Sequence, residues 1–165
     1  MSELYGIDPC AIARYPMYRG LSRLLGMHVP EVVEDLSGQA GQLASRWEEH
    51  NFFFFHHKDT DSNGEDGDFD RKVAAIEELD AILPELLEHQ PDVLAVTGDH
   101  STPSHLKSHS WHPVPVLISS PTCLPDTTES FSETAAMSGG LGQFRANSLM
   151  LQLLAHAQKL EKFGA

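Results

Sequence analysis

Residues 93–110, which read VLAVTGDHSTPSHLKSHS, decide the fold. Residues 93–97, which have strong β character, lead through Gly98 into an acid and an imidazole, Asp99 and His100. A buried strand that ends in Gly-Asp-His places two metal-type ligands at the carboxyl edge of a sheet, where α/β proteins hold their ligands. Asp-His pairs also occur as ordinary loop residues, so the surrounding chain has to distinguish the two interpretations.

A second apolar run precedes this strand. Residues 52–55 are four consecutive phenylalanines bounded by polar residues, which is typical of a strand buried on both faces in a parallel sheet. The run leads into residues 59–70, of which six of twelve are Asp or Glu. Such a block is either a solvated loop or a cation site. Its glycine is misplaced for an EF-hand, and a strand precedes it instead of a helix.

A helix is predicted between these two strands, over residues 69–89, with Asp68 as its cap and a kink or restart at Pro84. Strand, helix and strand form a crossover unit, so the two strands should run parallel. Parallel strands bring Asp61 and Asp99 to the same sheet edge. Two acidic loops that face one another repel unless a cation or a proton lies between them.

The remaining elements are predicted from the positions of proline and glycine and from the spacing of apolar residues. Pro113 and Pro115 suit the start of an edge strand over 114–119, which runs antiparallel to the others if His109 is a ligand. Further predictions are a helix over 7–27 broken at Pro16, a short strand at 32–33, helices over 42–50 and 147–163, and a weak phosphate-cradle motif at 139–142.

Composition limits the classes of function. A chain of 165 residues is one domain by length, and its net charge of −13 argues against nucleic acid as a partner. No apolar run reaches the length of a membrane span, and no signal peptide is visible. Two distant cysteines, Cys10 and Cys123, favour structural thiols in a reduced cytoplasmic protein.

The candidate ligand set mixes carboxylates and imidazoles. Its members are Asp61, Glu65, Asp99, His100 and His109. Such a set favours Zn²⁺ or Mn²⁺, and with more carboxylates also Mg²⁺. Glu65 follows Asp61 by four residues, so one helical turn would place both on one face. The alternative is that the histidines between 100 and 112 only make a loop polar. If they are ligands, metal affinity should fall below about pH 6.5.

Several segments in order resemble a known family. They are YPMYRGLSRLLGM (15–27), KDTDSNGEDGDFDRKVAAIEELD (58–80), TGDHSTPSHLKSHSWHPVPVLI (97–118) and KFGA (162–165). They resemble the archaeal-type cofactor-independent phosphoglycerate mutases of the alkaline phosphatase superfamily. The resemblance implies an α/β fold: part of an alkaline-phosphatase-like three-layer sandwich, with a mostly parallel sheet, flanking helices and one antiparallel strand. It also implies a two-metal phosphotransferase in which a serine carries the phosphoryl group between 3-phosphoglycerate and 2-phosphoglycerate.

The resemblance also assigns roles to residues. Asp99 and His100 would hold the metal next to the nucleophile, and Asp61 and His109 would hold the other. Glu65 stands where the family usually has a histidine, which should move preference toward Mn²⁺ or Mg²⁺, with Zn²⁺ and Co²⁺ also possible. Arg19 matches a basic residue, commonly lysine, that contacts the phosphoglycerate substrate.

Residues 1–165 resemble only the C-terminal part of the family's metal-binding domain. The N-terminal strand with the nucleophilic serine and the inserted domain have no counterpart here, and none of the chain's serines matches the nucleophile. We therefore expect little or no mutase activity from the chain alone. An uncovered sheet edge would favour a homodimer or a complementing N-terminal segment. The alternatives are a metal-binding or interaction module without catalysis and a metal-dependent phosphomonoesterase.

Overall fold

The computed structural model describes residues 1–160. The chain forms two compact units, the first made of residues 1–90 and 102–109, and the second of residues 91–101 and the chain from residue 110 onward. The described strands make one parallel and one antiparallel pair among helices. This mixed α/β architecture, with its antiparallel strand, confirms the predicted fold class.

The first unit contains five helices and the parallel strand pair. In chain order these are α1 (Ser2–Tyr5), β1 (Pro9–Ala13), α2 (Pro16–Leu24), α3 (Leu36–Ala44), β2 (Phe52–His56), α4 (Asp59–Asp66) and α5 (Phe69–Leu87).

Strand β1 lies where a helix was predicted, and that prediction is wrong over 9–13. All five residues of β1 are buried, and they pair in parallel with β2 from Pro9 opposite Phe52 to Ala13 opposite His56. A short apolar run gives the same local signal in a buried strand and in a buried helix. Only the partner strand distinguishes them. The predicted helix is correct from Pro16 onward, where Pro16 occupies the first turn of α2.

Helix α3 begins earlier than the predicted helix over 42–50. The Asp35 side chain caps it by accepting a hydrogen bond from the Gly38 amide at 2.7 Å. The chain continues as turns after α3, and no strand forms at Val32 and Val33. Helix α3 contains two glycines, Gly38 and Gly41, but the Asp35 cap and the packing of the helix on β1 and α5 outweigh their low helix propensity.

The acidic segment is helical. It forms α4, so the prediction of a loop there is wrong, and the predicted placement of Asp61 and Glu65 one helical turn apart is correct. Strand β2 and helix α5 are confirmed. Asp68 caps α5 through the Arg71 amide, and Pro84 lies within the helix, three residues before its last residue.

The core of the first unit lies around β1. Its centre is Cys10, Ile12 and Leu43, against which Trp47, Phe53, Phe55 and Leu86 pack. This core combines residues from two strands and two helices with the turn after α3. Strand β2 and its four phenylalanines thereby set the position of the acidic helix α4, which follows it directly.

The second unit contains the strands β3 (Leu94–Thr97) and β4 (Val116–Ser119), the short helix α6 (Glu133–Ala136), a 3₁₀ helix (Ala146–Ser148) and α7 (Leu149–His156). Strands β3 and β4 pair antiparallel, from Leu94 opposite Ser119 to Thr97 opposite Val116, as predicted. Each described strand pairs within its own unit. The predicted meeting of the β2 and β3 carboxyl ends stays a prediction.

The glycine-rich motif at 139–142 has a structural role. The Gly140 amide donates to Asp126 Oδ2 at 2.6 Å, which ties two loops together. The last predicted helix ends at His156, and residues 161–163 of that prediction, like KFGA, lie outside the described residues. Among residues 1–160, no helix has the length and apolar composition needed to cross a membrane.

Candidate metal centre

Three of the predicted ligands lie together in the first unit. Asp61 and Glu65 are one turn apart on α4, and His109 ends the 102–109 segment. His109 Nε2 is 3.6 Å from Asp61 Oδ1 and 3.4 Å from Glu65 Oε1. Donor atoms that share one ion at about 2.1 Å lie roughly 3.0 to 3.4 Å apart. His109 therefore lies close enough to each carboxylate for that pair to share a divalent cation.

Asp61 is the most constrained of the three. Its side chain is 15% exposed, Oδ1 accepts a hydrogen bond from Thr102 Oγ1, and Oδ2 pairs with Lys58 Nζ. Because Thr102 and Lys58 lie far apart in the chain, their two contacts hold the carboxylate in one orientation. A metal ligand that is oriented before binding loses less conformational entropy when the ion arrives.

Lys58 is the cation that the structure places at this site. Its ammonium is 4.0 Å from Glu65 Oε2 and 5.0 Å from the centre of the Tyr15 ring. Burial works to lower the pKa of Lys58, but the hydrogen bond and charge of Asp61, with Glu65 and Tyr15, outweigh it and raise the pKa. Lys58 therefore stays protonated and offsets part of the acidic charge of α4.

The segment 102–109 is held closely against α4 and α5. Thr102 is 3% exposed, and its carbonyl oxygen accepts a hydrogen bond from Lys72 Nζ at 2.6 Å. A Cβ on Gly64 would collide with that same carbonyl oxygen, so the close approach needs a glycine. These contacts place His109 beside Asp61. Neither Lys58 nor Thr102 is among the residues predicted for the site; a lone lysine at the start of an acidic run is the signal that points to Lys58.

A cavity of about 280 Å³ lies beside the same helix. Arg14, Tyr15, Lys58, Asp59 and Ser62 are among its lining residues. Arg14 Nη2 donates to Asp59 at 2.5 Å and Nη1 donates to the Glu34 carbonyl at 3.0 Å. The cavity therefore carries two cationic groups, and each of them has a carboxylate partner.

Asp99 and His100 follow β3 in the second unit, as predicted. The His100 amide donates to Asp99 Oδ1 at 3.0 Å, and His100 Nε2 is 3.5 Å from Asp99 Oδ2. Both side chains are partly exposed, at 49% for Asp99 and 29% for His100. A carboxylate and an imidazole side by side are suitable ligands for one ion. The five predicted ligands thus divide between the units, three in the first and two in the second.

Arg19, the predicted substrate contact, is buried with 7% of its surface exposed. Its Nη1 donates to the Ala13 carbonyl at 2.9 Å and its Nη2 to the Pro30 carbonyl at 2.8 Å. These hydrogen bonds tie the end of β1 to the chain that follows α2. They give Arg19 a structural role, and its contact with substrate stays a prediction.

A second acidic and imidazole group lies in the first unit. Ligand atoms of His57, Asp59 and Glu78 lie within 4.8 Å of one another. Asp59 is bound by Arg14, and His57 Nε2 lies 3.1 Å from the Ala75 carbonyl oxygen. Two of its three members thus already hold partners within the chain, as Asp61 does.

The chain is similar to curated proteins over its full length. It is 51% identical to a probable 2,3-bisphosphoglycerate-independent phosphoglycerate mutase of Thermus thermophilus and to one of Aquifex aeolicus, each comparison covering 100% of this chain and 41% of the relative. A relative with the same description in Deinococcus radiodurans is 52% identical, over 99% of this chain and 40% of its own length. The chain thus spans about two fifths of these relatives.

Two solved structures share the fold. A protein from Pyrococcus horikoshii matches with a TM-score of 0.91 and 31% identity, over 99% of this chain and 53% of its own. The cofactor-independent phosphoglycerate mutase from Thermoplasma acidophilum matches with a TM-score of 0.67 and 19% identity, over 94% of this chain and 38% of its own. The resemblance seen in the sequence segments is thereby confirmed. The family model described as the Metalloenzyme superfamily matches residues 1–156, and the chain belongs to that superfamily.

Proposed function

We propose that this chain is the metal-binding portion of a 2,3-bisphosphoglycerate-independent phosphoglycerate mutase, an isomerase of glycolysis that interconverts 3-phosphoglycerate and 2-phosphoglycerate. The observation that carries the proposal is 51% identity along the full chain with the Thermus and Aquifex relatives. Because the chain spans 41% of those relatives, the activity belongs to a larger assembly of residues than this chain contains.

The proposed cofactors are two divalent ions, with Mn²⁺ preferred and Mg²⁺, Zn²⁺ and Co²⁺ as alternatives. Asp61, Glu65 and His109 would hold one ion, and Asp99 and His100 the other. The carboxylate of Glu65 supports a harder ion at the first position. When bound, such ions supply polarisation of a phosphoryl oxygen.

The chain's own groups would orient the ligands and receive the substrate. Thr102 and Lys58 hold the Asp61 carboxylate in place before any ion binds. Arg14 and Lys58 offer positive charge to a small anion in the cavity beside α4, and Arg19 is retained as a proposed substrate contact on the family resemblance. A three-carbon phosphate ester is small enough for a cavity of about 280 Å³.

The experiment that tests the proposal compares two proteins. One is the 165-residue chain, and the other is the same chain joined to the preceding portion of the Aquifex relative. Each is supplied with Mn²⁺ and 3-phosphoglycerate, and ³¹P NMR follows 2-phosphoglycerate. We expect turnover from the joined protein and none from the chain alone, because the serine that carries the phosphoryl group lies outside it.

Two variants of the joined protein make the test specific. Asp61→Asn should lower kcat by about 100-fold or more, because the proposed metal ligand loses its negative charge. Asp66→Asn, an exposed change on the same helix, should leave the rate unchanged. If inorganic phosphate is released and no 2-phosphoglycerate forms, the proposed function would be that of a phosphomonoesterase and not of a mutase. Absence of both reactions would favour a binding module.

A cytoplasmic location, a homodimer and a complementing N-terminal segment stay part of the proposal. The free thiols of Cys10 and Cys123 support a reducing compartment. The two-stranded sheets of the described residues support pairing with further strands, since strand edges are templates for another chain.

A further inference from the structure

A lysine of α5 is bound to the backbone of the segment that carries His109. Lys72 Nζ donates a hydrogen bond to the Thr102 carbonyl oxygen at 2.6 Å, between residues 30 positions apart in the chain. Lysine ammonium groups are usually exposed to water or paired with a carboxylate. Lys72 is only partly exposed, and within residues 1–160 no carboxylate forms an ion pair with it. Its charge is therefore directed at a peptide carbonyl group.

That carbonyl group belongs to a buried residue. Thr102 is 3% exposed, and a buried carbonyl oxygen that lacks a donor costs free energy. Lys72 supplies the donor. A Cβ on Gly64 of α4 would collide with the same carbonyl oxygen and would lie 3.1 Å from Lys72 Nζ. The ammonium group and the carbonyl group thus meet directly against the backbone of α4.

The same threonine contacts a proposed metal ligand. Its hydroxyl group donates a hydrogen bond to Asp61 Oδ1, while its carbonyl oxygen accepts the hydrogen bond from Lys72. The chain continues from Thr102 to His109, whose Nε2 is 3.6 Å from Asp61 Oδ1. Lys72 therefore acts at the point where this segment is fixed to α4. Loss of a residue that orients metal ligands through hydrogen bonds typically lowers metal affinity by about 10- to 100-fold.

We propose that Lys72 is a positioning residue for the metal centre of Asp61, Glu65 and His109, and that it acts through Thr102. The inference rests on the proposed metal-binding function, since it concerns the affinity of that centre for a divalent ion. A positive charge near a cation site repels the cation, so loss of the charge alone would strengthen metal binding. Loss of a positioning contact weakens metal binding, because Thr102 and His109 are no longer held beside Asp61.

The test measures the affinity of the folded 165-residue chain for Mn²⁺ by titration calorimetry. We expect Lys72→Met to weaken binding by roughly tenfold, because the Thr102 carbonyl group loses its donor. Lys72→Arg keeps a charged donor, and its affinity should lie closer to that of the original chain than to that of Lys72→Met. Arg71→Met is the control, because it removes the same charge from the neighbouring position, where the side chain is 75% exposed. It should change the affinity by less than about twofold.

Gly64→Ala disturbs the same contact from the side of α4. Alanine favours a helix more than glycine does, but its Cβ would displace the Thr102 carbonyl group from Lys72. We therefore expect roughly tenfold weaker Mn²⁺ binding with the helix retained. The matched control is Gly41→Ala in α3, where nothing lies within 4 Å of the added Cβ. That change should leave the affinity for Mn²⁺ as it is.

Hydrogen exchange without added metal provides a second readout. The amides of Leu106 and Lys107 donate to the Pro103 carbonyl oxygen within the segment 102–109. In Lys72→Met these amides should exchange about tenfold faster than in the original chain, as mass spectrometry of the peptide would show. The amides of β1 should keep their exchange rates, which distinguishes a local change from general unfolding.

Failure of this inference differs from failure of the proposed function. If folded Lys72→Met binds Mn²⁺ as tightly as the original chain, or more tightly, the inference is wrong. Unchanged affinity in Gly64→Ala would overturn it even if Lys72→Met fails to fold. If the original chain binds no Mn²⁺, the proposed metal centre is wrong, and hydrogen exchange alone decides the role of Lys72. Faster exchange in Lys72→Met would then support its hold on the segment 102–109, and an unchanged rate would overturn it.

Discussion

At the scale of one residue, Arg19 links β1 to the chain that follows α2. Its guanidinium donates to the carbonyl oxygens of Ala13 and Pro30, and the residue is buried. Carbonyl groups in such a place have few other donors available, and a buried acceptor that loses its donor costs free energy. The residue therefore matters for stability whether or not it also contacts a substrate.

Replacing Arg19 tests that role. We expect Arg19→Met to lower the free energy of unfolding by about 2 to 4 kcal/mol, because two hydrogen bonds from a charged donor are lost. Urea denaturation followed by circular dichroism measures the change. Arg23→Met, on the exposed side of the same helix, should cost less than about 0.5 kcal/mol. Equal effects of the two changes would contradict the structural role.

Glu65 is the residue expected to set metal preference in the first unit. Replacement by histidine would exchange a charged oxygen ligand for a neutral nitrogen one beside His109 and Asp61. We expect Glu65→His to raise the affinity for Zn²⁺ relative to Mn²⁺ by roughly tenfold, as titration calorimetry with each ion would show. Asp66→His is the control, because it adds the same side chain one residue away. In that variant the ratio of the Zn²⁺ and Mn²⁺ affinities should not change. An unchanged ratio in Glu65→His would argue against Glu65 as a ligand.

At the scale of elements, Asp126 joins two loops of the second unit. Its carboxylate accepts hydrogen bonds from the amides of Gly140 at 2.6 Å and Thr128 at 2.8 Å. The bond from Gly140, followed by those from Thr128, lowers the pKa of Asp126 below its ordinary value of 3.8. The motif that resembled a phosphate cradle thus binds a carboxylate of the same chain.

The lowered pKa of Asp126 makes the stability of the fold depend on pH. A carboxyl group with a lowered pKa in the folded state stabilises the fold at pH values above 3.8. The contribution is lost as the pH falls through the lower, folded pKa. Hydrogen exchange at the Gly140 amide should therefore be about fivefold faster in Asp126→Asn than in the original chain at pH 6. The two should converge at acid pH, and a constant difference down to pH 2 would refute the assignment.

At the scale of the whole molecule, the proposed ligands come from two units. Asp61, Glu65 and His109 belong to the first, and Asp99 and His100 belong to the second. The prediction that they form one two-metal site rests on the crossover topology read from the sequence. Metal stoichiometry can test it directly, because ligands of one site are coupled and ligands of separate sites are not.

We expect two Mn²⁺ ions per chain, measured by elemental analysis after dialysis against a low, fixed concentration of free Mn²⁺. In a shared site, Asp61→Ala and Asp99→Ala should each weaken the binding of both ions, and the double variant should resemble either single one. If each single variant loses one ion and keeps the other at its original affinity, the two ligand sets are independent. The shared-site prediction would then be wrong.

Much of the molecule could be predicted from local patterns. Strand β2 was recognised from four consecutive phenylalanines, and helix α5 from its apolar periodicity and its Asp68 cap. The antiparallel strand β4 followed from Pro113 and Pro115. Each of these signals is contained in a short stretch of chain, so it acts in the same way wherever the stretch lies in the fold.

Other features depended on partners distant in the chain. Strand β1 lies within a predicted helix because its five apolar residues carry no period of their own. Its identity comes from pairing with β2, about 40 residues away. Helix α4 has the local signal of a loop because polar, turn-forming residues fill it. Its contacts with α5 and with Thr102 stabilise the helix nevertheless.

The sequence by itself determined the family, the chemical types of the candidate ligands and the one-turn spacing of Asp61 and Glu65, because these reside in residue identity and order. Only the tertiary structure decided that Lys58 and Thr102 hold Asp61, that His109 approaches both carboxylates, and that Arg19 is buried. The physical reason is that hydrogen bonds and ion pairs between separate elements depend on packing. Packing arises from the whole chain at once.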